Sequence, residues 1–375
     1  MNARNQFVSI MTFSLLTIMS QMVFAQIPNL DNASISLVAD LSVERAVYDS
    51  SRNLIYGTVS SNSANGNSIA IIDPLTRGVS FVTGAGSDPN AIAISGDNSV
   101  VYFGVDGAGG FRSFNPQTLE FGTIQLLGTP QPTGTATAED FAIQPGNPGT
   151  VIVSSDEIGN SGSGVLQTFS ENGFVSSGSV FEVANSIEFL DSDTLIGFDN
   201  SNDGFGLTRF AFDGFNPPVP EIEIGGLVRG FATTIEVVGG TVFGTDGTQV
   251  NPETLAGLGS IDAANAIEPF TGNDVFEGGV TYTIGSSELT LFSNEFFQEI
   301  DSFEFGNSIS TPVDLFFAGE GTLGVVGANG SLSLITGIPT SDPTSVPEPS
   351  SSILMLAVGF GLSCRRRKRS RRLGA

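Results

Sequence analysis

The chain of 375 residues contains no histidine, no tryptophan and one cysteine, Cys364. Without histidine it cannot build a Ser–His or Cys–His nucleophile system, and it lacks the commonest zinc ligand. A single cysteine cannot form an intramolecular disulfide, so the stability of the fold must come from the burial of apolar side chains. Several classes of hydrolase and the disulfide-rich secreted scaffolds are therefore excluded.

Basic residues are also scarce, and they are unevenly placed. Of the 14 lysines and arginines, one lies in the first 25 residues and seven lie between positions 365 and 372. The intervening body keeps six arginines against 38 acidic residues, which gives it a net charge of −32. A body with this charge repels nucleic acid and anionic lipid, so neither is an expected partner.

The first 25 residues have the features of a secretory signal peptide. Arg4 precedes an apolar stretch from Phe7 to Met19, and Val23-Phe24-Ala25 comes directly before Gln26. A basic residue, a short apolar segment and a small residue at the end predict cleavage between Ala25 and Gln26.

The other end carries a Val346-Pro347-Glu348-Pro349 box, an uncharged run from Ser350 to Cys364, and a basic cluster of Arg365, Arg366, Arg367, Lys368 and Arg369. As a helix, the uncharged run would reach roughly 22 Å, against a hydrocarbon core of about 30 Å. Basic flanks stay cytoplasmic, so the body is expected on the opposite side of the membrane. The alternative, a nucleic-acid or anionic-lipid patch on a cytosolic protein, leaves the amino-terminal segment unexplained.

These three ordered features resemble the PEP-CTERM sorting signal of bacterial envelope and exopolysaccharide-associated proteins. The resemblance implies that exosortase recognises a sorting helix held transiently in the membrane and cleaves the chain near the Val346–Pro349 box. The body is then released or re-anchored in the cell envelope or outside the cell, and it contacts the membrane only through the sorting helix. The apolar span is short for that family.

Between the two ends, seven segments repeat an apolar strand, a tight turn and a second apolar strand. The central turn residues, spaced 34 to 50 residues apart, are Arg52, Asp97, Asn147, Ser192, Gly239, Asn273 and Glu320. A period of about 40–50 residues with four strands per unit is typical of a β-propeller. The sequence therefore predicts an all-β fold, a seven-bladed β-propeller.

The seventh unit lacks its fourth strand, whereas the strand-like segment Ser34 to Ser42 stands unused near the start. We expect this segment to close the last blade, because an unpaired edge strand would otherwise remain. The predicted organisation is a signal peptide at 1–25, a propeller at 26–337, a Pro/Ser linker at 338–345 and the sorting signal at 346–372. The stretch from Ser87 to Gly104 resembles YVTN-type surface-protein propeller repeats, which implies a fold rather than an activity.

One segment, DNSNDGFG, suggests a calcium site. Asp199, Ser201 and Asp203 supply alternate oxygen-bearing side chains, and Gly204 follows them. This pattern can wrap Ca²⁺, although Phe210 stands where an EF-hand loop needs a carboxylate. The alternative is a plain turn between the second and third strands of blade four, held by Asx-type hydrogen bonds.

Two further groups have a chemical and a structural interpretation. Paired acids allow a glycosidase, but the abundance of acids explains them equally well; the pairs are Asp156/Glu157, Asp191/Asp193 and Glu221/Glu223. An arginine facing the channel could bind a carboxylate or an acidic sugar, or it could form an outward ion pair. The candidates for that role are Arg112, Arg209 and Arg229.

The sequence predicts an exported, non-catalytic propeller with an interaction or structural role in exopolysaccharide or biofilm. The expected partners are exosortase, transiently, and extracellular polysaccharide or envelope proteins. No catalytic residue and no cofactor is assigned. The alternatives are an extracellular hydrolase or lactonase, and a calcium-dependent binding module.

Overall fold

The computed structural model describes residues 28–128, 136–157, 160–171, 173–177, 184–201, 204–262, 266–270 and 279–339. The chain divides into two units, Met1–Thr340 and Ser341–Ala375, and all of these residues belong to the first. The predicted signal peptide with its Ala25/Gln26 cleavage site, the Val346–Pro349 box and the Arg365–Arg369 cluster lie outside the described residues.

The described residues form seven antiparallel sheets, which confirms the predicted seven-bladed β-propeller. Within blades 1 to 6, the strands follow one another in chain order from the channel outward. Blade 1 contains β2 (Val43–Asp49), β3 (Leu54–Val59), β4 (Ser68–Ile72) and β5 (Val79–Thr83). Blade 2 contains β6 (Pro89–Ile94), β7 (Val101–Val105), β8 (Gly110–Asn115), β9 (Glu120–Phe121) and β10 (Gln125–Leu126), with a 3₁₀ turn at Asp106–Ala108. Blade 3 contains β11 (Ala136–Ile143), β12 (Val151–Glu157), β13 (Asn160–Ser170) and β14 (Gly173–Ser177).

The second half of the ring follows the same plan. Blade 4 contains β15 (Ser186–Asp191), β16 (Thr194–Phe198), β17 (Gly206–Ala211) and β18 (Val219–Gly225). Blade 5 contains β19 (Ile235–Val238), β20 (Thr241–Gly244), β21 (Thr248–Asn251) and β22 (Ala256–Ser260). Blade 6 contains β23 (Ala266–Phe270), β24 (Val280–Ile284), β25 (Glu288–Ser293) and β26 (Gln298–Glu304). Blade 7 contains β27 (Pro312–Phe317), β28 (Thr322–Gly327), β29 (Ser331–Thr336) and β1 (Ser34–Asp40).

Blade 7 closes the ring, as the sequence predicts, because it combines β27, β28 and β29 from the carboxyl end of the propeller with β1 from the amino end. β1 pairs antiparallel with β29, from Ser34 opposite Thr336 to Asp40 opposite Ser331. The flanking residues are also held: the backbone N–H of Leu30 donates to Asp301 Oδ2 at 2.6 Å, and Tyr282 Oη donates to the carbonyl of Pro339 at 2.8 Å. Because the body has no disulfide, these non-covalent contacts alone join its ends.

Burial follows the position of a strand within its blade. The second strands are almost entirely buried, since they are covered on both faces by neighbouring blades, and β7, β16 and β24 are buried at every residue. The outermost strand β18 is exposed at every residue. Near-continuous apolar runs therefore belong to the second strands, as expected for strands buried on both faces.

Aromatic side chains fill the spaces between blades. Between blades 2 and 3, the ring of Phe111 packs edge-on against Phe169 at a centroid distance of 4.7 Å and also contacts Phe141 and Tyr102. Pairs of this kind contribute about 0.5–1.5 kcal/mol beyond their buried area. Buried phenylalanines thus supply much of this packing in a chain without tryptophan.

Blade 2 differs from a simple four-stranded prediction, because its outer strand is split. β9 and β10 both pair with β8, and residues 122–124 interrupt the outer strand between them. The Arg112 guanidinium donates from Nε and Nη2 to the carbonyl of Gly122, at 2.9 and 2.7 Å, and it lies over the ring of Phe121. A side chain therefore satisfies a carbonyl that an unbroken ladder would have paired.

The closure generates a prediction at Gly337, directly after β29. Gly337 has φ +79°, and a Cβ built there would lie 2.1 Å from the carbonyl oxygen of Asn32. Gly337→Ala combines a disfavoured backbone conformation with a clash against the segment that leads into β1. We expect it to lower the free energy of unfolding by about 2–4 kcal/mol, measured by urea unfolding.

The matched control is Gly240→Ala, at φ +76° with no atom within 4 Å of the added Cβ. At that position we expect only the cost of the left-handed backbone conformation, which lowers the free energy of unfolding by about 1–2 kcal/mol. Equal losses at the two positions would contradict the idea that the Asn32 segment is tightly packed on blade 7.

Candidate functional site: the acidic central channel

The first strand of each blade lines a central channel. These inner strands are β2, β6, β11, β15, β19, β23 and β27, and each lies beside the inner strands of the two neighbouring blades. Residues from six of them surround a cavity of about 560 Å³. This volume lies in the range of pockets that hold small molecules.

On each of five consecutive blades, one half-buried carboxylate lies on the inner strand. These residues, which we call the carboxylate ring, are Asp140, Glu188, Glu236, Glu268 and Asp314 in blades 3 to 7. Blade 1 places Arg45 among them, and blade 2 contributes the apolar residues Ala91, Ile92 and Ala93 to the same cavity. All five ring residues are half-buried.

Three members of the carboxylate ring fasten one blade to the next. Asp140 Oδ2 accepts the backbone N–H of Ile187 in blade 4 at 2.8 Å. Likewise Glu268 accepts the backbone N–H of Phe317 in blade 7, and Asp314 accepts that of Ala46 in blade 1. The inner strands face the channel with an otherwise unpaired edge, so these carboxylates satisfy backbone donors that lack a strand partner.

Burial raises the pKa of all five ring residues, and neighbouring carboxylates add to the rise at Glu188, Glu236 and Glu268. Burial raises the pKa of Asp140 to about 6. Burial, followed by the charge of Asp140, raises the pKa of Glu188 to about 8. The pKa of Glu236 rises well above its ordinary value through burial and the charges of Glu268, Asp314 and Glu188. Around neutral pH, the channel therefore retains protons that an exposed carboxylate would have lost.

Arg45 is the arginine of the channel, and the three candidates predicted from the sequence lie elsewhere. Arg112 binds the carbonyls of Gly122, Gly84 and Ala85. Arg209, on the third strand of blade 4, pairs with Glu221 on the outer strand and with Glu253. Arg229 donates to the carbonyl of Gly226 in the loop between blades 4 and 5. Of these three, Arg209 forms the ion pair of the alternative interpretation, whereas Arg112 and Arg229 bind backbone carbonyls instead.

The proposed calcium segment connects β16 and β17, as the alternative interpretation expects. The backbone N–H of Ser201 donates to Asp199 Oδ1 at 2.9 Å, which is an Asx-type turn. Asp203, the third proposed ligand, lies outside the described residues. Within the described part, no three acidic or sulfur-bearing side chains are grouped to hold one metal ion. Calcium binding at this segment stays a prediction.

The acidic pairs noted in the sequence lie apart from the channel. Glu221 and Glu223 are exposed on the outer strand β18. Asp191 Oδ1 accepts the backbone N–H of Asp193 at 2.9 Å, in the turn after β15. Asp156 and Glu157 belong to β12, the second strand of blade 3. Asp156, Asp191, Asp193, Glu221 and Glu223 do not line the cavity.

Sequence reasoning missed the carboxylate ring, although a signal for it is present. Aligned by repeat, the inner strands read SIEF, TIEV and AIEP at Ser186, Thr234 and Ala266, and PVDL follows at Pro312. The acid occupies the same position in each. A recurrent acid among apolar residues on the innermost strand of a propeller indicates a channel residue rather than a solvated one.

Arg45 supplies a prediction with a defined pH dependence. When folding raises the pKa of a carboxyl, the contribution of that group to the free energy of unfolding is complete below about pH 4. The contribution is lost as the pH rises through the pKa of the folded state. The charge of Arg45 opposes this rise at Asp140 and Asp314. We therefore expect Arg45→Gln to be nearly neutral at about pH 4.5 and to lower the free energy of unfolding by about 1 kcal/mol at about pH 8.

Urea unfolding at the two pH values measures the effect. Arg77→Gln, at an exposed turn residue of blade 1, is the control for the loss of one positive charge. An equal loss of stability at both pH values would show that Arg45 acts through packing rather than through the ring.

A family model for the PEP-CTERM protein-sorting motif matches residues 345–368. This motif implies export and processing by exosortase. Comparison with curated proteins gives no match. In the described residues, no helix is both long and apolar enough to span a membrane; the predicted sorting helix lies outside them.

The chain is similar in fold to 1233 chains of known structure. One of them, described as "Structure of U3-55K", has a TM-score of 0.59 and 12% sequence identity, with 82% of this chain and 99% of that chain covered. This likeness concerns the fold alone, and the likeness to YVTN-type repeats stays a prediction. The chain is therefore a seven-bladed β-propeller that carries a PEP-CTERM sorting motif.

Proposed function

We propose that this protein is an exported, non-catalytic propeller that exosortase delivers to the cell envelope or the extracellular matrix, where it has an interaction or structural role in exopolysaccharide or biofilm. The sorting motif at residues 345–368 carries the proposal. The amino-terminal segment with Arg4 and the Ala25/Gln26 site supplies the export signal. The sorting helix is the only membrane contact.

The charge of the body supports partners outside the cytoplasm. Its net charge of −32 disfavours nucleic acid and anionic membranes and keeps it soluble. The remaining candidate partners have neutral or cationic surfaces, and polysaccharide and envelope proteins offer both kinds of surface. The loops between strands, rather than the packed blades, present the contact surface.

The use of the channel carboxylates supports a non-catalytic role. Asp140, Glu268 and Asp314 bind backbone donors of the next blade, so their oxygens are already engaged. The absence of histidine removes the most frequent general base. The main role of the carboxylate ring is thus structural, because three of its members join neighbouring blades.

Glu188 favours the second candidate, an extracellular hydrolase or lactonase. It lines the cavity, and its pKa is raised to about 8, which is the property of a general acid. A calcium-dependent binding module is the third candidate, and the Asp199 turn would supply its ligands.

Mass spectrometry of the protein isolated from its native host tests the delivery. We expect a mature amino terminus at Gln26 and a carboxyl terminus near the Val346–Pro349 box, with the basic cluster removed. A chain that retains both Met1 and Ala375 would contradict the proposal.

Assays of the purified body separate the three candidates. Polysaccharides and lactones are offered as substrates and as ligands, with and without a chelator. Binding that is insensitive to the chelator, without turnover, supports the non-catalytic role. Turnover that disappears in Glu188→Gln supports the hydrolase, and binding lost on chelation supports the calcium-dependent module.

A further inference from the structure

Two acids of the channel take part in no hydrogen bond with the described part of the chain. Glu188 of blade 4 and Glu236 of blade 5 both line the central cavity, and neither carboxylate accepts a donor there. Asp140, Glu268 and Asp314 differ from them, because each accepts a backbone N–H group of another inner strand. The two unengaged carboxylates lie on neighbouring blades, so one side of the cavity presents acceptors that can bind a donor from outside the chain.

Asn185 adds a further acceptor without a donor to the same cavity. It lines the cavity directly before β15, and its side-chain oxygen Oδ1 is buried with no hydrogen-bond partner among the described residues. Buried acceptors in native proteins are nearly always hydrogen-bonded to the protein itself, to ordered water or to a bound species. The unsatisfied oxygen of Asn185 therefore points to an external donor, independently of the carboxylates.

Arg45, the arginine of the channel, lies on the other side of the ring. In a ring of seven blades, blades 4 and 5 stand across the axis from blade 1, which carries Arg45 on β2. The Arg45 guanidinium donates from Nη1 to the carbonyl of Glu44 at 3.0 Å, so it is held beside its own strand. Its charge opposes the rise in pKa at Asp140 and Asp314, on blades 3 and 7. The acceptors of blades 4 and 5 are thus left for a cation from elsewhere.

Blade 2 gives the cavity an apolar side. Residues 91–94 of its inner strand, which are Ala, Ile, Ala and Ile, line the cavity. The volume of about 560 Å³ suits a small molecule. A lone metal ion matches the site less well, because no three acidic or sulfur-bearing side chains of the described residues are grouped to coordinate one. Acceptors on one side and hydrocarbon on another fit an organic cation.

We propose that the central channel binds a small amino alcohol, a primary ammonium joined to a hydroxyl by a short hydrocarbon body. Glu188 and Glu236 hold the ammonium, Asn185 Oδ1 accepts the hydroxyl, and the hydrocarbon lies against blade 2. This binding goes beyond the interaction role proposed for the loops, and it concerns the folded propeller wherever exosortase delivers it.

The chemistry of each group matches its place in the cavity. An ammonium is a donor without acceptors, so it pairs with carboxylates and stabilises their ionised form. A hydroxyl suits Asn185, because burying a second charge against a neutral amide would cost more than burying a neutral donor. Asn185 and Glu188 are three residues apart along the chain, a span of about 10 Å in extended backbone. The two polar ends of the ligand are therefore separated by its hydrocarbon body.

Isothermal titration calorimetry of the purified full chain tests the proposal with four probes of one length. These probes are 6-amino-1-hexanol, hexylamine, 1,6-hexanediol and 6-hydroxyhexanoate. At about pH 8.5 an alkylammonium, with a pKa of about 10.4, stays charged. Glu188, with a pKa of about 8, is mostly ionised at that pH. We expect the amino alcohol to bind at least about tenfold more tightly than the diol or the hydroxy acid, and about threefold more tightly than hexylamine.

Two variants assign the two ends of the ligand. Glu188→Gln/Glu236→Gln should lose the preference for the amino alcohol over the diol, because the amide side chains carry no charge. Asn185→Ala should keep that preference and lose the threefold advantage over hexylamine. The matched control is Glu299→Gln/Glu304→Gln, at exposed positions of β26, and it should bind all four probes as the wild type does. Thermal unfolding confirms that each variant is folded.

The proposal is overturned if the wild type binds the diol as tightly as the amino alcohol, or binds neither of them. A folded Glu188→Gln/Glu236→Gln variant that keeps the tenfold preference also overturns it, as does an equal loss in the β26 control, since either result places the amine on the general acidic surface. If the glutamine variant does not fold, the wild-type series and Asn185→Ala decide the outcome.

Discussion

The antiparallel pairing of β1 with β29 is the interaction on which the rest of the structure depends. It joins residues separated by about 300 positions in the chain, from Ser34 opposite Thr336 to Asp40 opposite Ser331. Once this pairing forms, blade 7 has four strands, and seven sheets surround one axis. The described residues contain no cysteine to reinforce the pairing, so the ring closes through hydrogen bonds and apolar packing.

Closure also determines the chemistry of the channel. Seven inner strands that converge on one axis bring together residues from every repeat, and here five of the repeats contribute an acid. Some of those acids become fasteners between blades, as at Asp140 and Ile187. Glu188 and Glu236 line the same cavity, and burial raises the pKa of each. The same geometry thus produces both the hydrogen bonds between blades and the raised pKa values of the channel carboxylates.

The sequence predicted the parts of the fold that have local signals. Tight turns between apolar strands recur within short windows, and the spare segment at Ser34 stands out because the last repeat is incomplete. The carboxylate ring has no local signal, since Glu188, Glu236 and Glu268 are neighbours only after the repeats are stacked. A single acid in an apolar strand resembles any solvated charge until its position in the repeat is aligned.

The arginines illustrate the same limit. Arg112 and Arg209 lie on third strands, whereas Arg45 lies on a first strand. The position of its strand within the blade therefore decides whether an arginine lies at the channel. The split outer strand of blade 2 could not be predicted from the sequence either, because it involves the side chain of Arg112, which binds the carbonyl of Gly122. Rarity of a residue type is therefore a weaker indicator of a functional position than its place in the repeat.

A disulfide across the closing strands tests the central claim most directly. Ser34 and Thr336 are direct partners, and their hydroxyl oxygens lie 3.0 Å apart. Cysteines at such cross-strand positions have the separation that a disulfide requires. In a chain that also carries Cys364→Ser, Ser34→Cys/Thr336→Cys should oxidise within one molecule, seen as the loss of two hydrogens in the intact mass and a raised melting temperature. Free thiols, or cross-links between molecules, would contradict the closure.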